Sequence, residues 1–274
     1  MRSEQLTVAG ISMRWQEAGG GPPVVLIHGI PTGPALWRRV VPLVTGGRCL
    51  AWEMVGYGRS IPEGEGRDIS VARQAGYLTD WLDALGIDRA VLVGHDLGGG
   101  VAQIAATSRP ERCAGLVLVN SIAYDSWPIP SVKAMRAAGP AVERMPAGAF
   151  RLVFGGFLRL GHDDRATARE SIAIHWAPYA ETGGPGGFLR QIRALRTEDT
   201  LAVADAFPKL GVPARVVWGA ADRFQRIGYG ERLATDLGAP LLRLDGARHF
   251  VPEDHPEAVA EAVAAVLGEQ EEGR

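Results

Sequence analysis

The chain lacks most of what would tie it to a membrane, a nucleic acid or a disulfide framework. No run approaches the roughly 18 apolar residues of a membrane span, and the opening MRSEQLTVAG lacks the long apolar core of a signal peptide. Lysine and arginine number 29 against 31 aspartates and glutamates. That balance provides no basic excess for a phosphate backbone. Cysteine is limited to Cys49 and Cys113. Both follow strand-like starts, neither has metal or redox spacing, and both are expected as buried thiols. No internal repeat or low-complexity segment is evident. The expected setting is a reducing cytoplasm, without nucleic-acid or membrane partners, as a monomer or homodimer.

What remains is an ordinary globular composition, 274 residues with 46% hydrophobic content. The length fits one large domain, or one domain with an insertion. Leu6–Ala9 and Ile11–Gln16 alternate apolar and polar residues around Ala9-Gly10, which predicts an N-terminal hairpin. Pro23–Ile27, Ala90–Val93 and Leu116–Val119 are short apolar runs, as parallel strands buried on both faces require, and Arg48–Trp52 is expected as a further strand. Ser70–Leu85 has helical periodicity and stops at Gly86, and a second helix is expected over Leu97–Ser108. The alternation resumes with strand Val212–Trp218, helix Ile227–Leu237, strand Pro240–Leu244 and a helix from about Pro256. Alternating strands and helices predict an α/β fold with a mostly parallel sheet covered on both faces.

The alternation breaks between residues 125 and 207. That stretch has helical pieces, several prolines and a glycine-rich loop, Thr182-Gly183-Gly184-Pro185-Gly186-Gly187, but no convincing buried strand. It is expected to be a helical cap over one end of the sheet. The core is then residues 1–124 and 208–274, and the cap is residues 125–207.

The most informative residue is Asp96. Gly94-His95-Asp96-Leu97-Gly98 lies between a predicted strand and a predicted helix. This is the frame of a nucleophile elbow, in which a strained turn exposes the nucleophile. A helix cap would explain an aspartate here, but not the flanking glycines. A carboxylate nucleophile attacks an alkyl carbon, displaces a leaving group and forms an ester. His249, after the last predicted strand, is placed to activate the water that hydrolyses this ester. Asp222, in Val217-Trp218-Gly219-Ala220-Ala221-Asp222, is placed to orient and charge-stabilise His249. The order nucleophile, acid, histidine is that of α/β-hydrolases. The backbone N–H groups of Ile30 and Leu97 are expected to point at the Asp96 carboxylate as an oxyanion hole. His28, Trp52 and Asn120 also lie near predicted strand ends, where open parallel sheets bind ligands.

The chain thus resembles the aspartate-nucleophile branch of the α/β-hydrolase superfamily, the epoxide hydrolases and haloalkane dehalogenases. The resemblance rests on His28-Gly29-Ile30-Pro31, Gly56-Tyr57-Gly58-Arg59-Ser60, Gly94-His95-Asp96-Leu97-Gly98-Gly99, Trp218–Asp222 and Gly246-Ala247-Arg248-His249. It implies an eight-stranded sheet, a helical lid after strand six and no cofactor; no metal site is expected. The chain departs from the dehalogenase pattern at Leu97, where a halide-binding tryptophan is usual, and at Ile30, where asparagine is common. It has no arginine beside the nucleophile, as haloacetate dehalogenases commonly do. In epoxide hydrolases lid phenols or imidazoles serve the departing oxygen, and here Tyr179, Tyr124 or His175 would take that part. Trp127 and Trp176 would wall an apolar pocket or hold a halide through an N–H, with His28 near the substrate. Asn120 cannot act as an anionic partner for His249, His162-Asp163-Asp164 reads as polar lid surface, and Glu53 reads as structural.

The leading expectation is an epoxide hydrolase that converts an epoxide to a vicinal diol through an aspartyl ester. Haloalkane or haloacid dehalogenation is the alternative. A non-catalytic binding protein of the same fold is the reading from another class, and trapping an adduct at Asp96 separates it from an enzyme. The expected partners are a small, largely apolar organic substrate and water.

Overall fold

The computed structural model describes residues 1–272. Strands β1 (Arg2–Val8) and β2 (Ile11–Gly19) form an antiparallel hairpin with Val8 opposite Ile11. Ala9 and Gly10 both have positive φ, 48° and 77°, as the tight hairpin turn matching strand twist requires. β2 then pairs antiparallel with β4 (Arg48–Trp52), which lies beside β3 (Pro23–Ile27). From β4 onward the sheet is parallel through β5 (Ala90–His95), β6 (Cys113–Val119), β7 (Ala214–Gly219) and β8 (Leu241–Leu244). The eight strands lie in the order β1-β2-β4-β3-β5-β6-β7-β8.

β5 and β6 are buried at every position, because helices cover the sheet and leave no polar face. Helix α1 (Val71–Ala84) packs on α2 (Leu97–Ser108), which in turn packs on β5 and β6. The Ser70 hydroxyl accepts from the Arg73 N–H at the start of α1, a cap worth about 1 kcal/mol. Between β6 and β7 come α3 (Pro130–Ala137), α4 (Gly139–Glu143), α5 (Ala147–Gly161), α6 (Arg165–Thr182), α7 (Gly184–Arg193) and α8 (Glu198–Leu201). No strand occurs among them. After β7 follow α9 (Ile227–Leu237), α10 (Val251–Asp254) and α11 (Pro256–Glu272). Among the described residues no helix is long and apolar enough to cross a membrane.

Two local expectations need correction. β6 begins at Cys113 rather than Leu116. The small residues Cys113-Ala114-Gly115 belong to the strand because α11 packs onto them; a Cβ on Gly115 would collide with Val266. The glycine-rich stretch after Thr182 is not a loop either. Gly183, at φ 124°, turns the chain, and Gly184 already starts α7. Pro185 sits in the first turn of that helix, where its missing N–H costs nothing.

The sheet order positions the site. From β3 the chain goes to β4 on one side and later reaches β5 on the other. The loops after β3 and β5 therefore diverge and leave a crevice at their carboxyl ends. His28–Pro31 and Asp96 occupy those two loops.

Candidate active site

Asp96 has φ 51° and ψ −121°. Such a backbone costs a residue with a Cβ on the order of 1–3 kcal/mol. The turn is held by what surrounds it. Gly94 lies against Gly98 and Gly99, and Gly98 lies against the carbonyls of Ile27 and His28; a Cβ at either glycine would collide with backbone. Gly98→Ala is therefore expected to destabilise the fold by about 3 kcal/mol or more. Equilibrium urea denaturation checks this, and an unchanged midpoint would contradict the steric account.

Asp96 is only 6% exposed. Burial pushes its pKa up to about 6, against the pull of the His249 charge and of the N–H groups of Leu97 and Ile30. The Ile30 N–H donates to Asp96 Oδ2 at 3.0 Å. Gly29 makes room for this approach, since a Cβ there would meet the carboxylate itself.

Asp222 follows β7 and His249 follows β8. His249 Nδ1 donates to Asp222 Oδ2 at 2.8 Å. Asn120, at the end of β6, donates Nδ2–H to the same oxygen at 2.6 Å, while its Oδ1 accepts from the Gly219 N–H at 3.0 Å. The Phe224 N–H donates to Asp222 Oδ1 at 2.7 Å. Both carboxylate oxygens are thus fixed, and the imidazole is aimed by a rigid partner. Burial pushes the His249 pKa down, but the charge and hydrogen bond of Asp222 and the charge of Asp96 outweigh it and hold it above 6.5. The His249 backbone is also anchored. Its N–H donates to Gly161 O at the end of α5 (2.9 Å), and its carbonyl accepts from His95 Nε2 at 2.9 Å.

Asp96, Leu97, Ile30 and His249 share one cavity of about 40 Å³. Its other walls are Ile122, Trp127, Pro128, Ile129, Val132, Phe157, Leu195, Phe224, Gln225 and Phe250. The structure brings the nucleophile, base and oxyanion donors of the sequence reading to this space, with Asp222 behind His249. Trp127 is there as well, but its indole N–H donates to Thr200 Oγ1 at 2.7 Å. Its ring is wall and its donor is occupied.

The other expected pocket residues lie elsewhere. The Tyr124 hydroxyl donates to Asp236 on α9 at 2.7 Å, with Arg232 over its ring. Tyr179 donates to Gln191 Oε1 at 2.7 Å, and Trp176 packs against Phe150 and Phe154 within the helical insertion. His175 Nε2 contacts Glu253 at 3.2 Å. His28 uses both ring nitrogens, Nδ1–H to Gly29 O at 2.9 Å and Nε2 to the Met54 N–H at 3.1 Å. Burial holds its pKa at about 4, so it is neutral and braces the loop. Each of these groups is committed to a hydrogen bond or an aromatic neighbour, and none of them lines the cavity.

His162 is a further correction. It is buried rather than polar lid surface, because α10 supplies anions to meet it. Its Nε2 is 3.1 Å from Glu253 and its Nδ1 is 3.1 Å from Asp254. Burial pushes the His162 pKa down, but these carboxylates raise it to about 9. Glu253 also pairs with Arg38. This buried charge cluster ties the α5–α6 junction and α6 to the loop after β3 and to α10, just beyond His249. Asp164 caps α6, accepting from the Ala166 and Thr167 N–H groups.

Sequence reasoning missed the clamp of Asn120 on Asp222, and the wall residues Phe157, Phe224 and Gln225. A polar residue closing the buried strand β6 was a usable signal for Asn120. Proximity to Asp222 in one strand-end loop was a usable signal for Phe224 and Gln225. Nothing local marks Phe157. Both cysteines are buried, and burial pushes their thiols up to about 11 for Cys49 and about 12 for Cys113.

A sequence model of the alpha/beta hydrolase fold matches residues 22–158. The chain belongs to the α/β-hydrolase family, and it is an enzyme of the hydrolase class. Among its relatives, the haloalkane dehalogenase of Mesorhizobium japonicum is 28% identical, with 98% of this chain and 92% of that protein covered. A crystal structure of an alpha/beta hydrolase fold protein from Burkholderia ambifaria superposes with a TM-score of 0.89 at 29% identity, covering 95% of this chain and 96% of that one. The haloalkane dehalogenase from Bradyrhizobium elkani superposes with a TM-score of 0.78 at 26% identity over 99% of both chains.

Proposed function

We propose that the chain cleaves a carbon–halogen bond in a small alkyl substrate through a covalent ester at Asp96. The observation that carries this over epoxide opening is the cavity wall. Apart from Asp96, His249 and Gln225 it is apolar, and no tyrosine hydroxyl lines it. An epoxide oxygen leaves as an alkoxide and needs a proton donor, whereas a halide leaves as a stable anion and needs only solvation. Relatives named haloalkane dehalogenase support the same reading, while an epoxide hydrolase is among the solved structures that share the fold.

In this reading an Asp96 oxygen attacks the halogen-bearing carbon, the C–O bond forms and halide departs with the bonding electrons. His249 then takes a proton from water, and the hydroxide adds to the Asp96 carboxyl carbon. The N–H groups of Ile30 and Leu97 hold the resulting oxyanion. Collapse releases an alcohol carrying an Asp96 oxygen and regenerates the carboxylate.

The two pKa directions fit this sequence of steps. Attack needs Asp96 ionised, so ester formation should slow about tenfold per pH unit below about 6. The Asp96 charge also helps keep His249 protonated. Esterification removes that charge, so the His249 pKa falls and the ring becomes a neutral base when the second step requires one. Rapid-quench measurement of the halide burst from pH 5 to 8 is expected to show an acid limb centred near 6. A burst rate that stays flat across this range would rule out Asp96 ionisation as the control.

The function is tested with a panel of short alkyl bromides, chlorides and epoxides, scored together for halide and diol. Bromide and chloride release is expected. Diol formation without any halide release would return the assignment to epoxide hydrolysis.

A further inference from the structure

We propose that Gln225 recognises the substrate, its carboxamide hydrogen-bonding a neutral hydroxyl or amide group at the wall of the Asp96 cavity. Gln225 is 2% exposed and lines that cavity. Its backbone is fixed, because Trp218 Nε1 donates to the Gln225 carbonyl at 2.9 Å. Its side chain is not. The buried Oε1 has no hydrogen-bond partner, and no described hydrogen bond uses the side-chain nitrogen. A buried carboxamide oxygen without a partner is a rare and costly arrangement, and it points to a missing ligand.

The chemistry of the wall narrows what that ligand group is. Asp96 and His249 are engaged in the reaction, and the Trp127 N–H belongs to Thr200. Gln225 is thus the uncommitted polar side chain of the cavity. A carboxamide carries no charge and offers both donors and an acceptor. A departing halide would satisfy the N–H groups and leave the oxygen facing an anion. A hydroxyl or a primary amide both gives and takes a hydrogen bond and satisfies the whole group. The favoured substrate is therefore a short alkyl halide with a hydroxyl or amide at the far end, rather than a hydrocarbon halide. This inference rests on the halide reading only for the identity of the reacting bond.

The test compares γ-bromopropanol with n-butyl bromide, which match in length. Wild type should prefer the alcohol by about tenfold or more in kcat/KM. Gln225→Leu should abolish that preference, so that the kcat/KM ratio of alcohol to n-butyl bromide falls to about one, mainly through a higher KM for the alcohol. An arm without turnover uses butyramide, titrated by calorimetry. It should bind wild type and lose about tenfold or more in affinity in Gln225→Leu. If Gln225→Leu does not fold, Gln225→Met carries the same comparison.

An unchanged preference and unchanged butyramide binding in a folded variant would overturn the inference, with Gln225 satisfied by water alone, and would leave the halide reading standing. Loss of butyramide binding with no halide turnover by wild type would uphold Gln225 and overturn the halide reading instead.

Discussion

Asp96→Asn is expected to reduce turnover by at least about 10⁴-fold while the protein stays folded. The amide is close in size to the carboxylate, so the glycine-walled turn still accommodates it, and the Ile30 N–H still has an oxygen to meet. What is lost is nucleophilicity, since a neutral amide does not displace halide. Burial already disfavours the charge at this position, so the exchange should leave the melting temperature unchanged or raise it. Slow deamidation would restore the aspartate, so the rate must be taken at early times on protein whose mass has been verified. Full initial activity in such a variant would eliminate Asp96 as nucleophile.

His249→Gln should have an equally large effect on steady turnover with a different signature. In the proposed mechanism the first attack needs Asp96 and not the imidazole, so the ester should still form. Without a base its hydrolysis should fall by about 10⁴-fold, and the alkyl group should remain on the enzyme. Intact-protein mass spectrometry should then show one substrate alkyl increment, and peptide mapping should place it at Asp96. In wild type, a single turnover in ¹⁸O-labelled water should yield alcohol carrying unlabelled oxygen from Asp96. Solvent label throughout the first-turnover alcohol would mean direct attack by water and no ester. In the proposed mechanism Asp222 and Asn120 enter this step only through the ring, since Asp222 holds His249 and Asn120 holds Asp222.

The features legible from sequence depend on near neighbours along the chain. β5 and β6 are read as strands because burial on both faces leaves no polar alternation, and α2 follows from Leu97 because its periodicity starts there. The elbow at Asp96 is legible for a steric reason. A strained turn packed against another backbone needs glycine at 94 and 98, and that need is written within five residues. Asp222 and His249 are legible because parallel strands end on one side of the sheet, so polar residues after successive strands converge.

The surroundings of the leaving group were decided only by tertiary structure. A hydroxyl points to whichever partner satisfies it, and that partner is set by packing. Tyr124 finds Asp236, 112 residues away, and Tyr179 finds Gln191. His162 is an exposed polar residue by composition, and becomes a buried cation because α10 brings Glu253 and Asp254 to it. Phe157 and Gln225 reach the cavity from a helix between β6 and β7 and from the loop after β7. Local pattern thus determined where the reaction is anchored, because steric and burial rules act over a few residues. Long-range packing determined what surrounds the departing atom, because the rotation of each helix is set by its contacts with the rest of the protein.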